Sequence, residues 1–72
     1  MPVYKITFVY NQIARISLAR GEHIFEGDYY YHVNQKGFLI YAFVKAYSEK
    51  HAAELAREII NKVNARNDST NS

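Results

Sequence analysis

The sequence predicts a small α+β domain, a three-stranded sheet in β-α-β-β-α order with the C-terminal helix packed on one face, and three stretches carry that expectation. A helical apolar repeat runs through "SEKHAAELAREIINKV". Two aromatic and β-branched runs flank Asn34-Gln35-Lys36-Gly37, the pattern of a hairpin. A further run of that kind, "VYKITFVY", lies near the start of the chain. Four strands followed by one helix is the alternative, and the choice turns on residues 11 to 26.

In "VYKITFVY" Tyr4, Ile6, Phe8 and Tyr10 alternate with Lys5 and Thr7, as side chains on opposite faces of a strand must. The segment that follows, "NQIARISLARGEHIFEG", is harder. Returned as a strand through a two-residue turn at Asn11-Gln12, it sets Phe8 and Ile6 against Arg15 and Ser17, an apolar face against a polar one. Lengthening the turn by one residue repairs the match but asks Ile13 for a positive φ, which a β-branched residue resists. A helix instead starts with Asn11 as N-cap and stops at Gly21 or Gly27. A shift of 37 residues also aligns Tyr4 with Tyr41, Tyr10 with Tyr47, Asn11 with Ser48 and Leu18-Ala19-Arg20 with Leu55-Ala56-Arg57, as two strand-cap-helix units would. Ile13, Ile16, Ser17 and Gly21 are weak helix formers and weigh for the strand.

The hairpin places Val33 opposite Phe38, Tyr31 opposite Ile40, Tyr29 opposite Ala42 and Glu26 opposite Lys45. One face then carries Tyr29, Tyr31, Val33, Phe38, Ile40, Ala42 and Val44, and the other Tyr30, His32, Leu39, Tyr41, Phe43, Lys45 and Tyr47. Ser48 is a good N-cap for the helix, whose inner stripe is Ala52, Leu55, Ala56, Ile59 and Val63. Lys50 with Glu54, and Glu58 with Lys62, sit at helical i,i+4 spacing on its wet side. His51 falls in its first turn, as a surface side chain, and His23 is expected at the surface of the preceding segment.

At 72 residues there is room for one domain, expected over residues 1–63, with the polar stretch 64–72 as a disordered tail. The absence of cysteine removes disulfides and thiolate metal sites, the usual supports of so small a fold, and makes oligomerisation an option. A net charge of +2 from scattered lysines and arginines does not by itself point to nucleic acid. No apolar run approaches the roughly 20 residues of a membrane helix, and no signal-peptide pattern is present, so the expected compartment is the cytoplasm. The sequon at Asn67 carries no weight without secretion.

Burying tyrosine hydroxyls requires hydrogen-bond partners, so the more aliphatic face should turn toward the helices. Tyr30, His32, Tyr41, Phe43, Lys45 and Tyr47 are then left as one outward aromatic surface, larger than a small monomer usually exposes. Covering of that surface by residues 11 to 26 is the competing arrangement, and it would make Tyr30, Tyr41 and Phe43 core.

Within this surface, Tyr41-Ala42-Phe43-Val44 fits the strand signature [FY]-[GA]-[FY]-[ILV], and "YAFVKAYSEKHAAELA" resembles the third strand and second helix of an RNA-recognition motif lacking its last strand. Leu39 and Ile40 stand where that signature has Lys/Arg-Gly, and Ala46 stands at its final aromatic. The resemblance implies base stacking on Tyr41 and Phe43.

Enzymatic chemistry has no support in the residues. There is no thiol nucleophile, no glycine-rich phosphate loop and no closely spaced histidine pair for a metal, so neither cofactor nor metal is expected. Asp28 and His32 lie about 13 Å apart along a strand, too far for an acid-base pair. The expected function is that of a non-enzymatic interaction protein, as homodimer or docked on a macromolecular partner through the aromatic face or an open strand edge. Inhibitors and adaptors of viral or mobile-element origin are an analogy for it. The alternative is single-stranded nucleic acid stacked on the same face, with Lys5, Lys36 and Lys45 on the phosphates and Tyr41 and Phe43 under the bases.

Overall fold

The computed structural model describes residues 2–20 and 25–70, with side chains described to residue 65. Its elements are β1 (Val3–Val9), β2 (Gln12–Leu18), β3 (Tyr29–Val33), β4 (Leu39–Lys45) and α1 (Glu49–Thr70). The strands form one antiparallel sheet in the order β2-β1-β4-β3, and α1 packs across β1, β2 and β4 on one face. The fold is thus α+β with four strands and one helix, the alternative order. The three-stranded sheet and the helix expected over residues 11 to 26 are replaced by the hairpin β1-β2. Gly21 and His23 lie outside the described residues.

Two devices that the residue pattern conceals make this hairpin work. The turn sits at Tyr10-Asn11, one residue earlier than expected, with φ of 51° and 60°, the left-handed pair that matches strand twist in a two-residue loop. Ile13 thereby stays in the strand opposite Phe8. A bulge then leaves Ala14 without a partner, since Phe8 faces Ile13 while Thr7 faces Arg15 and Ile6 faces Ile16. The extra residue brings Ile13 and Ile16, three apart, against the same core. That spacing is helical in a sequence and becomes strand-like only through the bulge.

The second hairpin carries the same device. Gly37 amide donates to the Asn34 carbonyl at 3.0 Å, Gly37 has φ of 86°, and Asn34 amide donates to the Phe38 carbonyl at 2.9 Å. Asn34 Oδ1 holds the loop further by accepting from the amides of Lys36 and Phe38. The loop therefore closes between Asn34 and Phe38, and a bulge at Ile40 shifts the register again, so that Tyr29 faces Val44, Tyr30 Phe43, Tyr31 Ala42 and His32 Tyr41. Because the total slip is two residues, Tyr29 and Tyr31 keep the inner face and Tyr30 and His32 the outer one. Beyond the bulge the expectation reverses: Leu39 is 2% exposed and joins the core, whereas Phe38 and Ile40 are about 40% exposed. Lys45 pairs across to Asp28, not Glu26.

The core is a single layer between helix and sheet. Ile6, Phe8, Leu39, Ala42, Val44 and Ala46 meet Ala52, Ala56, Ile59 and Val63. Alanines on both sides let the helix approach the strands closely, and the bulk comes from Ile6, Leu39, Val44 and Ile59. Ser48 caps α1 as expected: its Oγ accepts from the His51 amide at 3.1 Å, while His51 Nδ1 accepts from the Tyr47 amide at 3.1 Å and its ring stacks on Tyr47. The helix continues through residues 64 to 70, which composition alone assigns to the tail. At 22 residues it is about 33 Å long and outruns the seven-residue strands, at about 23 Å, and the five-residue β3, at about 17 Å.

Asn11 ties the three parts together. Its Oδ1 accepts from the Leu39 amide at 2.7 Å and its Nδ2 donates to Asn64 Oδ1 at 3.3 Å, so the β1-β2 turn is pinned to β4 and to α1. At the other margin Lys62 Nζ donates to the Tyr29 hydroxyl and lies 5.2 Å from its ring centre.

Replacing Asn11 by Ala removes the Leu39 bond and leaves a β-carbon residue at φ of 60°, so it should destabilise by about 2 to 3 kcal/mol in urea unfolding. Asn11→Gly removes only the side-chain bonds and should cost about 1 kcal/mol; equal costs would show that the backbone conformation is irrelevant. The hydrogen bond from Lys62 to Tyr29, followed by the charge interaction with that tyrosine, raises the Lys62 pKa above its ordinary value. A raised folded-state value stabilises fully below the ordinary lysine range and the contribution is lost as pH rises through the raised value. Tyr29→Phe should return the Lys62 titration, followed by NMR, toward the ordinary value.

Candidate nucleic-acid or protein interface on the open sheet face

One helix covers one face, and the pairing of the strands determines what the other presents. Alternation and register place three rows across β2, β1, β4 and β3 on the uncovered side. The first reads Arg15, Thr7, Tyr41, His32. The second reads Ser17, Lys5, Phe43, Tyr30, and the third holds Val3 and Lys45 beside Asp28. Polar and cationic side chains thus occupy the β1-β2 half of the surface and aromatic ones the β4-β3 half.

The aromatic half is packed edge and face. His32 stacks on Tyr41 with ring centres 5.5 Å apart and planes 21° apart, and Tyr41 meets Phe43 edge to face at 5.6 Å. Tyr30 is 48% exposed, while Tyr41 and Phe43 are half-buried by their neighbours. Lys5 Nζ lies 6.0 Å from the Tyr41 ring centre, so the cationic half touches the aromatic one. Lys45 is drawn to the end of the sheet, where its ammonium donates to the Phe25 carbonyl at 3.1 Å and lies 4.7 Å over the Phe25 ring.

Of the residues singled out in the sequence, Tyr30, His32, Tyr41 and Phe43 come together, with Lys5 against them and Lys45 at the margin. Tyr47 does not join them, because β4 has ended and its ring stacks on His51 at the start of α1. Lys36 lies in the β3-β4 loop, beyond the strand residues of the face. Arg15 and Ser17 belong to the face and were assigned elsewhere by the helical reading of their segment, and Thr7 joins them from the side of β1 that carries Lys5. The signal that could have found Arg15 and Ser17 is the "RIS" alternation once β2 is paired with β1.

Apolar exposure continues past the rows at the turn end. Val9 is 54% exposed, Tyr10 83%, Phe38 40% and Ile40 41%, and Tyr10 packs edge to face on Phe38 at 6.5 Å. The cover that residues 11 to 26 were offered as does not exist over 12 to 18, which are a strand within the sheet. Among the described residues there is no helix long and apolar enough to cross a membrane and no cluster of three or more side chains suited to a metal. No protein-family model, curated protein or solved structure matches the chain.

The alternation along β4 has a direct mutational consequence. Phe43→Ala, on the open face, should leave the circular-dichroism spectrum and a single unfolding transition in place. Ile6→Ala, on the covered face, should cost about 2 to 5 kcal/mol, because Ile6 is fully buried. Loss of the fold in the Phe43 variant would assign that ring to the core.

Proposed function

We propose that the chain is a non-enzymatic interaction protein that docks a protein partner on the uncovered sheet face. The observation that carries this reading is the aromatic strip Tyr30-His32-Tyr41-Phe43 on the side that α1 leaves open, with Val9, Tyr10, Phe38 and Ile40 exposed at the turn end of the sheet. Tyrosine, phenylalanine and half-buried apolar side chains are the residues that anchor protein interfaces, since each offers a large contact area at little conformational cost. Tyr10 adds to the argument. It holds a left-handed conformation where Asn or Gly would be cheaper, yet its ring is almost fully exposed, a local cost that a surface role explains.

A second reading is favoured by one particular arrangement. Lys5 and Arg15 lie beside the rings in the same rows, which is the pairing of stacking platform and phosphate contact that single-stranded nucleic acid requires. The segment Tyr41 to Val44, which resembles the RNA-recognition strand signature, occupies the middle of this face. Asp28 and exposed Glu26 at one end oppose a polyanion.

The two readings separate in one titration. With a mixed-sequence single-stranded oligonucleotide at low salt, the protein-docking reading expects unchanged tyrosine fluorescence. Quenching that weakens steeply with salt and is lost in Lys5→Ala and Arg15→Ala would establish the second reading instead. In affinity capture, the wild-type chain should retain a partner that a folded Tyr30→Ala/Phe43→Ala chain does not.

A further inference from the structure

The four-stranded sheet has two outer edges, and they differ. The β2 edge is protected: it carries Arg15, and the bulge at Ala14 interrupts its line. The β3 edge, Tyr29-Tyr30-Tyr31-His32-Val33, has no lysine, arginine, acid, proline or bulge of its own residues. Hydrogen bonds at its two ends show which way its main chain points. The Asp28 carbonyl accepts from the Lys45 amide at 2.9 Å, and the Asn34 amide donates to the Phe38 carbonyl at 2.9 Å. By the antiparallel alternation, residues 28, 30, 32 and 34 face β4, and Tyr29, Tyr31 and Val33 turn their N–H and C=O groups outward. Among the described residues nothing pairs with those outward groups.

We infer that β3 is a self-pairing edge, joining two copies of the chain antiparallel about a two-fold axis through Tyr31 into one continuous sheet. This deepens the reading of the chain as an interaction protein, and rests on it in that pairing doubles the open aromatic face. The symmetry follows from the outward groups. With Tyr31 opposite Tyr31 of the second copy, Tyr29 faces Val33 and Val33 faces Tyr29, so every outward donor finds an acceptor, about six main-chain bonds in all. On the open side the same register sets Tyr30 against His32 of the other copy, an aromatic pair formed twice.

Charge does not oppose this register, since Tyr29–Val33 carries no lysine, arginine or acid. At the ends of the strand the same register sets Asp28 of one copy alongside Asn34 of the other, so no like charges meet across the axis. On the inner face α1 packs on β1, β2 and β4 and reaches β3 through Lys62 on Tyr29, leaving Tyr29 and Tyr31 half-buried at its margin. A second copy is the occupant that meets both the strand edge and these two rings.

The test is sedimentation velocity of the full chain over a wide concentration range, with hydrogen exchange on the same samples. The expected result is a dimer of twice the chain mass in which the amides of Tyr29, Tyr31 and Val33 are protected and those on the β2 edge are not. Tyr31→Pro removes an outward N–H that β4 does not use, and Tyr31→Lys places two ammonium groups at the axis. Each should give a folded monomer by circular dichroism, raising the dissociation constant ~30-fold or more. Phe43→Ala should remain dimeric. A wild-type monomer at every concentration overturns the inference and leaves the face reading standing. A dimer that survives Tyr31→Lys but dissociates in Phe43→Ala also overturns it, and assigns the face to self-association in place of a partner.

Discussion

The structure depends on one asymmetry: a single helix has to bury a four-stranded sheet, and it reaches only one side. Ala42, Val44, Ile6 and Phe8 turn toward α1 and are sealed by Ala52, Ala56, Ile59 and Val63. Every strand has side chains on its other face by the geometry of the pleat, and no second layer is present among the described residues to receive them. The chain answers in two ways. On β1 and β2 it places Lys5, Thr7, Arg15 and Ser17, which water accepts. On β3 and β4 it places Tyr30, His32, Tyr41 and Phe43, which water accepts poorly, and these pack on one another. Solvation alone would have favoured polar residues on all four strands, and the proposed docking role is therefore placed on the aromatic half.

The thin core gives the local devices their importance. Four of the ten buried apolar residues are alanines, Ala42 in β4, Ala46 just after it and Ala52 and Ala56 on α1, which allow close approach but contribute little area. Polar ties compensate at both margins. Asn11 joins the β1-β2 turn to β4 and α1, Asn34 organises the β3-β4 loop, and Lys62 reaches from α1 to Tyr29 on β3. Each tie connects elements distant in sequence or closes a turn whose residues sit at positive φ, which makes the hairpin ends as important to stability as the middle of the sheet.

The two bulges serve both core and surface. Each inserts a residue so that apolar positions three apart, Ile13 with Ile16 and Leu39 with Ala42, reach the same side. Each also displaces its extra residue outward, and at Ile40 that residue joins Phe38 and Tyr10 among the exposed side chains at the turn end of the sheet. Bulges increase twist and break a strand's outer line. The one in β2 lies on an outer edge, whereas the one in β4 lies inside the sheet and leaves the β3 edge regular. That one margin is interrupted and the other regular therefore comes from where the extra residues fall.

Much of this was legible in the residues themselves. The cap at Ser48 and the stripe of Ala52, Ala56, Ile59 and Val63 need only local geometry, and they define α1 before any partner is known. Tyr29 and Tyr31 against Tyr30 and His32 follows from the period of two, and it survived because the register slipped by an even number of residues. What the residues could not disclose is each place where tertiary pairing overrides local preference. Tyr10 in a left-handed turn is locally unfavourable and is accepted because β1 and β2 must meet and because Asn11 bonds Leu39 and Asn64 across the fold. Ile13 and Ile16 carry a helical spacing that only pairing with Phe8 and Ile6 around a bulge converts into a strand. Sequence alone determined the helix, the hairpin β3-β4 and the aromatic character of one surface, because those depend on neighbours within a few positions. The fourth strand, the burial of Leu39, and the gathering of Lys5 and Arg15 beside Tyr41 were decided by contacts between residues far apart in the chain, whose register no local pattern encodes.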